Sequence, residues 1–161
     1  MNKELVDQLN EQINLEMVSA YLYFDMSVVL EERGFPGYVA WLRHQAEEEM
    51  EHAEKIIEFL LARGESPRLK SIELEKIEDY APLSIAHASL KHEKLVSESI
   101  RQIRKAALEA GDQEVETFLN WFIDEQVEEE DTAQTNVDLL EFAGDNPAAL
   151  LHVDAILGKR D

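Results

Sequence analysis

Four segments of this chain carry an apolar stripe at alternating spacings of four and three residues, the pattern of a helix packed in a bundle. Each stripe is broken near its middle by an acid. The first runs Leu9, Ile13, Glu16, Ala20, Tyr23, Ser27, Leu30. The second runs Leu42, Ala46, Glu49, Ala53, Ile56, Leu60, with His52 one turn beyond Glu49 on the same side. The third gives Leu83, Ala86, Leu90, Glu93, Ser97, Ile100, and the fourth Val115, Leu119, Phe122, Gln126, Glu129, Ala133, Leu140. A lone ionised carboxylate in a dry core costs so much that it takes up a proton instead. What these acids face therefore decides what the chain is.

The periodicity predicts helices over about Lys3 to Arg33, Tyr38 to Arg63, Pro82 to Ala110, Gln113 to Phe142 and, shorter, Pro147 to Leu157. The six glycines fall at the ends of these segments, where a left-handed residue commonly stops a helix, and the four prolines fall in loops or first turns. Asp112 is placed to cap the fourth helix, and Asn146 followed by Pro147 starts the fifth. Short connections make the first and second helices one antiparallel hairpin and the third and fourth another. Between them lies ESPRLKSIELEKIEDYA, about 17 residues that can extend some 55 Å, enough to run back along a helix of about 40 Å. The expected architecture is all-α: one domain over residues 1–161, a four-helix bundle with one long crossover and a short fifth helix. Leu150, Leu151, Val153, Ile156 and Leu157 make that fifth helix too apolar for an exposed tail. It is also too short to join the bundle, which points to packing at a symmetry axis of an assembly.

The acids fall close to one level of such a bundle. At about 1.5 Å per residue, Glu16 lies about 27 Å from the first hairpin turn, and Glu49 and His52 about 18 and 22 Å from it. Glu93 lies about 26 Å from the second turn, with Gln126 and Glu129 at about 20 and 24 Å. Crowded carboxylates repel, so a cation is implied among them. The chain has no cysteine, which excludes thiolate metal sites, disulfides and a thiol nucleophile. Four glutamates and a histidine form a hard, oxygen-rich site with imidazole, suited to iron or manganese more than to calcium. Glu49 and His52, at i and i+3, can point at one metal, and two metals bridged by Glu49 are the economical arrangement.

Acidic residues outnumber basic ones 35 to 15, a surface that repels phosphate backbones and anionic membranes and attracts cations. Nucleic acid is not an expected partner. The start, MNKELVDQLN, lacks the basic and apolar regions of a secretory signal, and no stretch approaches about 20 apolar residues. A cytoplasmic protein, with no membrane partner, is the expectation.

At the acid-bearing segments the chain resembles a bacterial ferritin of the non-haem type: LNEQINLE, HQAEEEMEHAE, KHEKL and WFIDEQVEEE all look like ferritin signatures, and the likeness runs over essentially the whole length. Ferritin-like di-metal proteins in general draw a Glu-x-x-His pair from each of two helices. Only Glu49 to His52 keeps that pair here. Gln126 and Glu129 stand at the other place, a departure toward ferritins and away from bacterioferritins and rubrerythrins. The resemblance implies a first iron site from Glu16, Glu49 and His52, a second from Glu49, Glu93 and Glu129 with Gln126 nearby, and Tyr23 beside the centre as one-electron donor or hydrogen-bond partner. It implies a third iron site from Glu48, Glu125 and Glu128 together with Glu129. It further implies iron as cargo, dioxygen or peroxide as oxidant, ferroxidase activity, and a hollow shell of 24 subunits around a ferric mineral.

Several of these residues have plainer readings. Gln126 reads equally as a bundle residue bonding a neighbour, Tyr23 as a packed aromatic, and Glu48, Glu125 and Glu128 as a solvated acidic face. His44, His87, His92 and His152 read as structural; His92 adjoins Glu93 but points about 100° away on a helix. Met50 falls near the haem-ligating methionine of bacterioferritins, but methionine is common in helices and haem is not expected. The rival functions are a rubrerythrin-like or bacterioferritin-like di-iron oxidase or peroxidase, and a non-catalytic acidic bundle that binds partners.

Overall fold

The computed structural model describes residues 1–74 and 76–159. Five helices form: α1 (Lys3–Arg33), α2 (Pro36–Ala62), α3 (Pro82–Ala110), α4 (Gln113–Ala143) and α5 (Pro147–Leu157). No strand occurs among the described residues. Side-chain caps set three of the starts. Asn2 accepts from the Leu5 N–H at 2.9 Å, Asp112 from Val115 at 3.2 Å and Asn146 from Ala149 at 3.0 Å, each satisfying a donor that the helix itself leaves open.

The two hairpins stand as expected, α1 against α2 and α3 against α4, and α1 also packs on α3. The crossover is a strap along α1. Its Arg68 N–H donates to Asn10 Oδ1 at 2.7 Å, and the Tyr80 hydroxyl donates to Asp25 at 2.7 Å, some fifteen residues further along the same helix, or about 22 Å. That path makes α2 and α3 parallel and α4 antiparallel to α2, so the end of α2 meets the start of α4. There Arg63 forms a bidentate pair with Asp112 at 3.0 and 3.2 Å. No Cα pair between α2 and α4 lies within 8 Å among the described residues, and these two helices meet through long side chains.

α2 departs from expectation at its start. It begins at Pro36, two residues before Tyr38, so Gly37 lies inside the first turn and has no left-handed φ. The reason is in α5. Phe35 has no side chain able to cap α2, and Asp154 does so from a distance, accepting from the N–H groups of Gly37 at 3.1 Å and Tyr38 at 2.8 Å. A Cβ on Gly37 would lie 1.9 Å from the Asp154 carbonyl oxygen, and one on Gly158 would lie 2.8 Å from the Gly37 Cα. These two glycines permit a close helix approach, whereas Gly34, Gly64, Gly111 and Gly144 have positive φ. The fifth helix is thus not too short to join the bundle. It docks on α2 and α4, burying Val153 and Leu157, while Leu151 and Ile156 remain in solvent.

The apolar interior divides in two. Tyr23, Met26, Leu30, Leu42, Ile85, Val137 and Val153 belong to one cluster, and Leu5, Leu9, Ile13, Ile56, Leu60, Ile100 and Leu119 to the other. Each fully buried Leu or Ile contributes roughly 1.5–3 kcal/mol, so both halves are well supplied. The break between them is where Glu16, Glu49, Glu93 and Glu129 sit. Against the expectation that no stretch is apolar enough to span a bilayer, α1 is so on length and composition, but its apolar face is spent on this core, with Gln12 and Glu16 fully buried in it.

Candidate metal centre

The stripes deliver their acids as the spacing requires. Glu16, Glu49, His52, Glu93, Gln126 and Glu129 are all buried, each at the mid-height of its helix and turned into the bundle. Ligand atoms of Glu16, Glu49 and His52 lie within 4.8 Å of one another, and so do those of His52, Glu125 and Glu129. The two groups share His52, whose Nδ1 is 3.5 Å from Glu49 Oε2. Its ring is held edge-on by Trp121 and Phe122, with centroids 5.3 and 6.0 Å away.

The carboxyls are not held alike. Glu93 accepts from the Tyr23 hydroxyl, and at 3.2 Å from Gln126 Nε2, which also reaches Ser97 Oγ. Glu16 Oε1 accepts from Gln12 Nε2 at 2.7 Å, and Glu129 Oε2 from Gln45 Nε2 at 2.7 Å. Glu16 Oε2 and both oxygens of Glu49 are buried with no hydrogen-bond partner. A buried carboxylate oxygen without a donor is costly. Such oxygens on Glu16 and Glu49, with ligand atoms of both residues grouped with the imidazole of His52, describe the inner surface of a cation site.

Burial is the first cause of every carboxyl pKa here. It drives Glu16 and Glu49 well above the ordinary value, helped by the charge of Glu49 on Glu16 and of Glu93 on Glu49. Glu93 is pushed up to about 7 by burial against the opposing bonds from Tyr23 and Gln126. Glu129 is also raised to about 7 by burial, then by the charges of Glu93 and Glu48. Tyr23 is held protonated by burial and by Glu93. A centre that resists its own negative charge this strongly has room for positive charge. The donor set, oxygen-rich with one imidazole, fits iron or manganese better than calcium.

A profile of the ferritin-like domain matches residues 6–143. The chain belongs to the ferritin family. It is 33% identical to a bacterial non-haem ferritin of Escherichia coli O6:H1 over 162 residues, covering 100% of this chain and 98% of the relative. A bacterial non-haem ferritin of Bacteroides fragilis strain 638R is 35% identical over 160 residues, covering 99% of each. Among solved structures, an open-pore ferritin from the hyperthermophilic archaeon Archaeoglobus fulgidus superposes with a TM-score of 0.97 at 35% identity, covering 100% of this chain and 99% of that one.

Within this ferritin bundle the expected residues separate by position. Glu125 is half-buried and grouped with His52 and Glu129, and Glu48 is close enough to raise the pKa of Glu129. Glu128 is exposed and joins no such group among the described residues. His92 turns away from the centre, as expected of a neighbour of Glu93. It bonds Ser19 Oγ between α1 and α3, and burial lowers its pKa to about 4. Two functional residues escaped the sequence reading, Gln12 and Gln45. Both are fully buried, and both stand one turn before a centre glutamate, at i and i+4 to Glu16 and Glu49. That spacing was the available signal, but a glutamine four residues from a glutamate is ordinary on a solvated helix face.

Proposed function

We propose that the protein takes up ferrous iron at this centre, oxidises it with dioxygen or peroxide, and stores the ferric product as a mineral inside a homo-oligomeric shell of 24 copies. The ferritin resemblance implies iron storage with ferroxidase activity, and it is supported by the match of residues 6–143 to the ferritin-like domain and by the fold shared with a solved ferritin. The first iron is held by Glu16, Glu49 and His52, the second by Glu49, Glu93 and Glu129 with Gln126 alongside, and a third by Glu129 with Glu48, Glu125 and Glu128. The observation that carries this reading is Glu49: fully buried, between both halves of the site, with both oxygens unpartnered.

The electrostatics give the reaction a direction. Four carboxylates balance two divalent ions, so ferrous binding displaces the protons that burial holds on the glutamates. Each ferrous ion then gives up one electron, and dioxygen with two protons becomes peroxide. Two trivalent ions exceed the carboxylate charge, and the excess is met by oxide or hydroxide from solvent, which favours departure of the product toward a mineral. Tyr23 donates to Glu93 and so orients that carboxylate toward the second iron.

Aerobic ferrous titration of the apoprotein tests the assignment. A fast oxidation of about two irons per subunit should precede slower mineral growth. Glu49→Ala should abolish the fast phase and Glu48→Ala should alter only later turnover. Equal loss in both variants would defeat the site assignment.

A further inference from the structure

Glu129 stands at a fork. It lies close enough to Glu93 for that charge to raise its pKa, and its ligand atom is also grouped with those of His52 and Glu125. One carboxylate thus belongs to two adjacent metal positions, and something must divide it between them.

Gln45 is placed to do so. It precedes Glu49 by one turn of α2, whereas His52 follows Glu49, so the two lie about 10 Å apart along the helix on opposite sides of the bridging acid. Its fully buried carboxamide donates to Glu129 Oε2 at 2.7 Å and also lies close enough to Glu49 to act against the rise of that acid's pKa. Because the backbones of α2 and α4 stay apart, this bond is a side-chain strut between them, made from the opposite side of Glu49 to His52. Gln12 and Gln126 make corresponding bonds to Glu16 and Glu93, but neither of those acids is shared with an outer position. Metals on both sides of Glu129 would together draw on both of its oxygens, and the strut already engages one.

Resting on the two-iron reading above, we propose that Gln45 is a positioning residue that fixes Glu129 as a ligand of the second iron and weakens the third site, so that the third fills only as the strut loosens. The proposal concerns metal affinity at separate positions, and redox-inert zinc can measure it without turnover. Zinc titration calorimetry on the assembled apoprotein should assign sites by the binding phase that each of Glu16→Gln, Glu93→Gln and Glu125→Gln removes.

In Gln45→Leu, similar in volume but without the donor, the phase sensitive to Glu93→Gln should weaken by roughly 10–100-fold, the usual scale for loss of a ligand's supporting bond. The phase sensitive to Glu125→Gln should tighten, and the phase sensitive to Glu16→Gln should move less than the phase sensitive to Glu93→Gln. Gln45→His, which restores an N–H donor, should return the affinities toward wild type. Unchanged affinities in Gln45→Leu would overturn the role. So would a uniform weakening of all phases with a lower apoprotein Tm, which would mark Gln45 as merely structural. If wild-type zinc binding were indifferent to Glu49→Gln, the centre itself would be misassigned, and the two failures are thereby told apart.

Discussion

On the proposed assignment, Glu49 is the residue in which catalysis and stability conflict. Its carboxyl is driven toward the neutral form by burial and by Glu93, against the opposing influence of the nearby Glu16 and Gln45 side chains, and neither of its oxygens is in hydrogen-bond geometry with a donor. Replacing it with glutamine keeps the volume and removes the charge, so Glu49→Gln apoprotein should be at least as stable as wild type near neutral pH while losing rapid iron oxidation. The pH dependence has a definite sign. Glu16, Glu49, Glu93 and Glu129 all have folded pKa values above the unfolded value of 4.5, the last two about 7. Their protonated forms stabilise the fold in full below 4.5, and that contribution is lost as pH rises through 7 and above. His92 opposes them on the acid side, because a pKa lowered from 6.5 to about 4 costs stability as pH falls through that window. One imidazole is outweighed by four carboxyls, so the wild-type apoprotein Tm should decline between pH 5 and about 8, and Glu49→Gln should flatten the decline. Zinc should reverse it, since the metal binds ionised ligands on the folded state only, adding about 2.7 kcal/mol at a hundredfold excess over Kd. Thermal melts across pH, with and without zinc, check all three; equal zinc stabilisation of both proteins would place the metal elsewhere. At this scale the burial of Glu16, Glu49, Glu93 and Glu129 was legible in the sequence because each interrupts an apolar period, which a solvated acid does not. Gln12 and Gln45 were not, because a neutral amide on a helix leaves no such contradiction.

Among the elements, α5 changes most on passing from sequence to structure. The four long helices, their hairpins and the crossover could be read from period, turn residues and connection length, all local properties. The docking of α5 could not, because it depends on Asp154 reaching two N–H groups over a hundred residues away and on Gly37 and Gly158 allowing the approach. Asp154 acts as the missing N-cap of α2, and loss of such a cap costs roughly 0.5–2 kcal/mol. Asp154→Ala should therefore lower Tm by a few degrees, on a scale of about 2–4 °C per kcal/mol for a chain of this size, and Asp154→Asn, which still caps, by less. Gly37→Ala should cost more than Asp154→Ala, since its Cβ would meet backbone rather than a movable side chain. Deletion of residues 147–161 should cost more again, removing the burial of Val153 and Leu157 along with the cap. Melting curves of the series test the order. An Asp154→Ala protein with unchanged Tm would show that the cap bonds do not hold α5 in place.

For the whole molecule, the bare subunit presents two unfavourable surfaces at once. It carries a formal net charge of −20, which makes like copies repel, yet Tyr21, Phe24, Met50 and Ile72 expose large apolar area around a shallow depression between α1 and α2. Phe142 at the end of α4 is 95% exposed. Exposed apolar area on this scale is what association covers, and salt should favour assembly by screening the charge. The metal centre, by contrast, is built entirely from side chains of one bundle, so oxidation and storage should separate when the shell is taken apart. Phe24→Glu puts a charge into the apolar face about two turns from Glu16, and it should give folded, helical protein of small size in sedimentation velocity at low salt. Such subunits should keep the fast oxidation of about two irons each, because every ligand is still present. They should fail at the slower phase, with ferric iron precipitating from solution for want of an enclosed cavity. Retention of the full assembly by Phe24→Glu would show that this face is not a contact between copies. Loss of the fast phase in dissociated but folded subunits would show that the centre needs a neighbour, against the geometry of Glu16, Glu49, His52, Glu93 and Glu129 converging within a single chain.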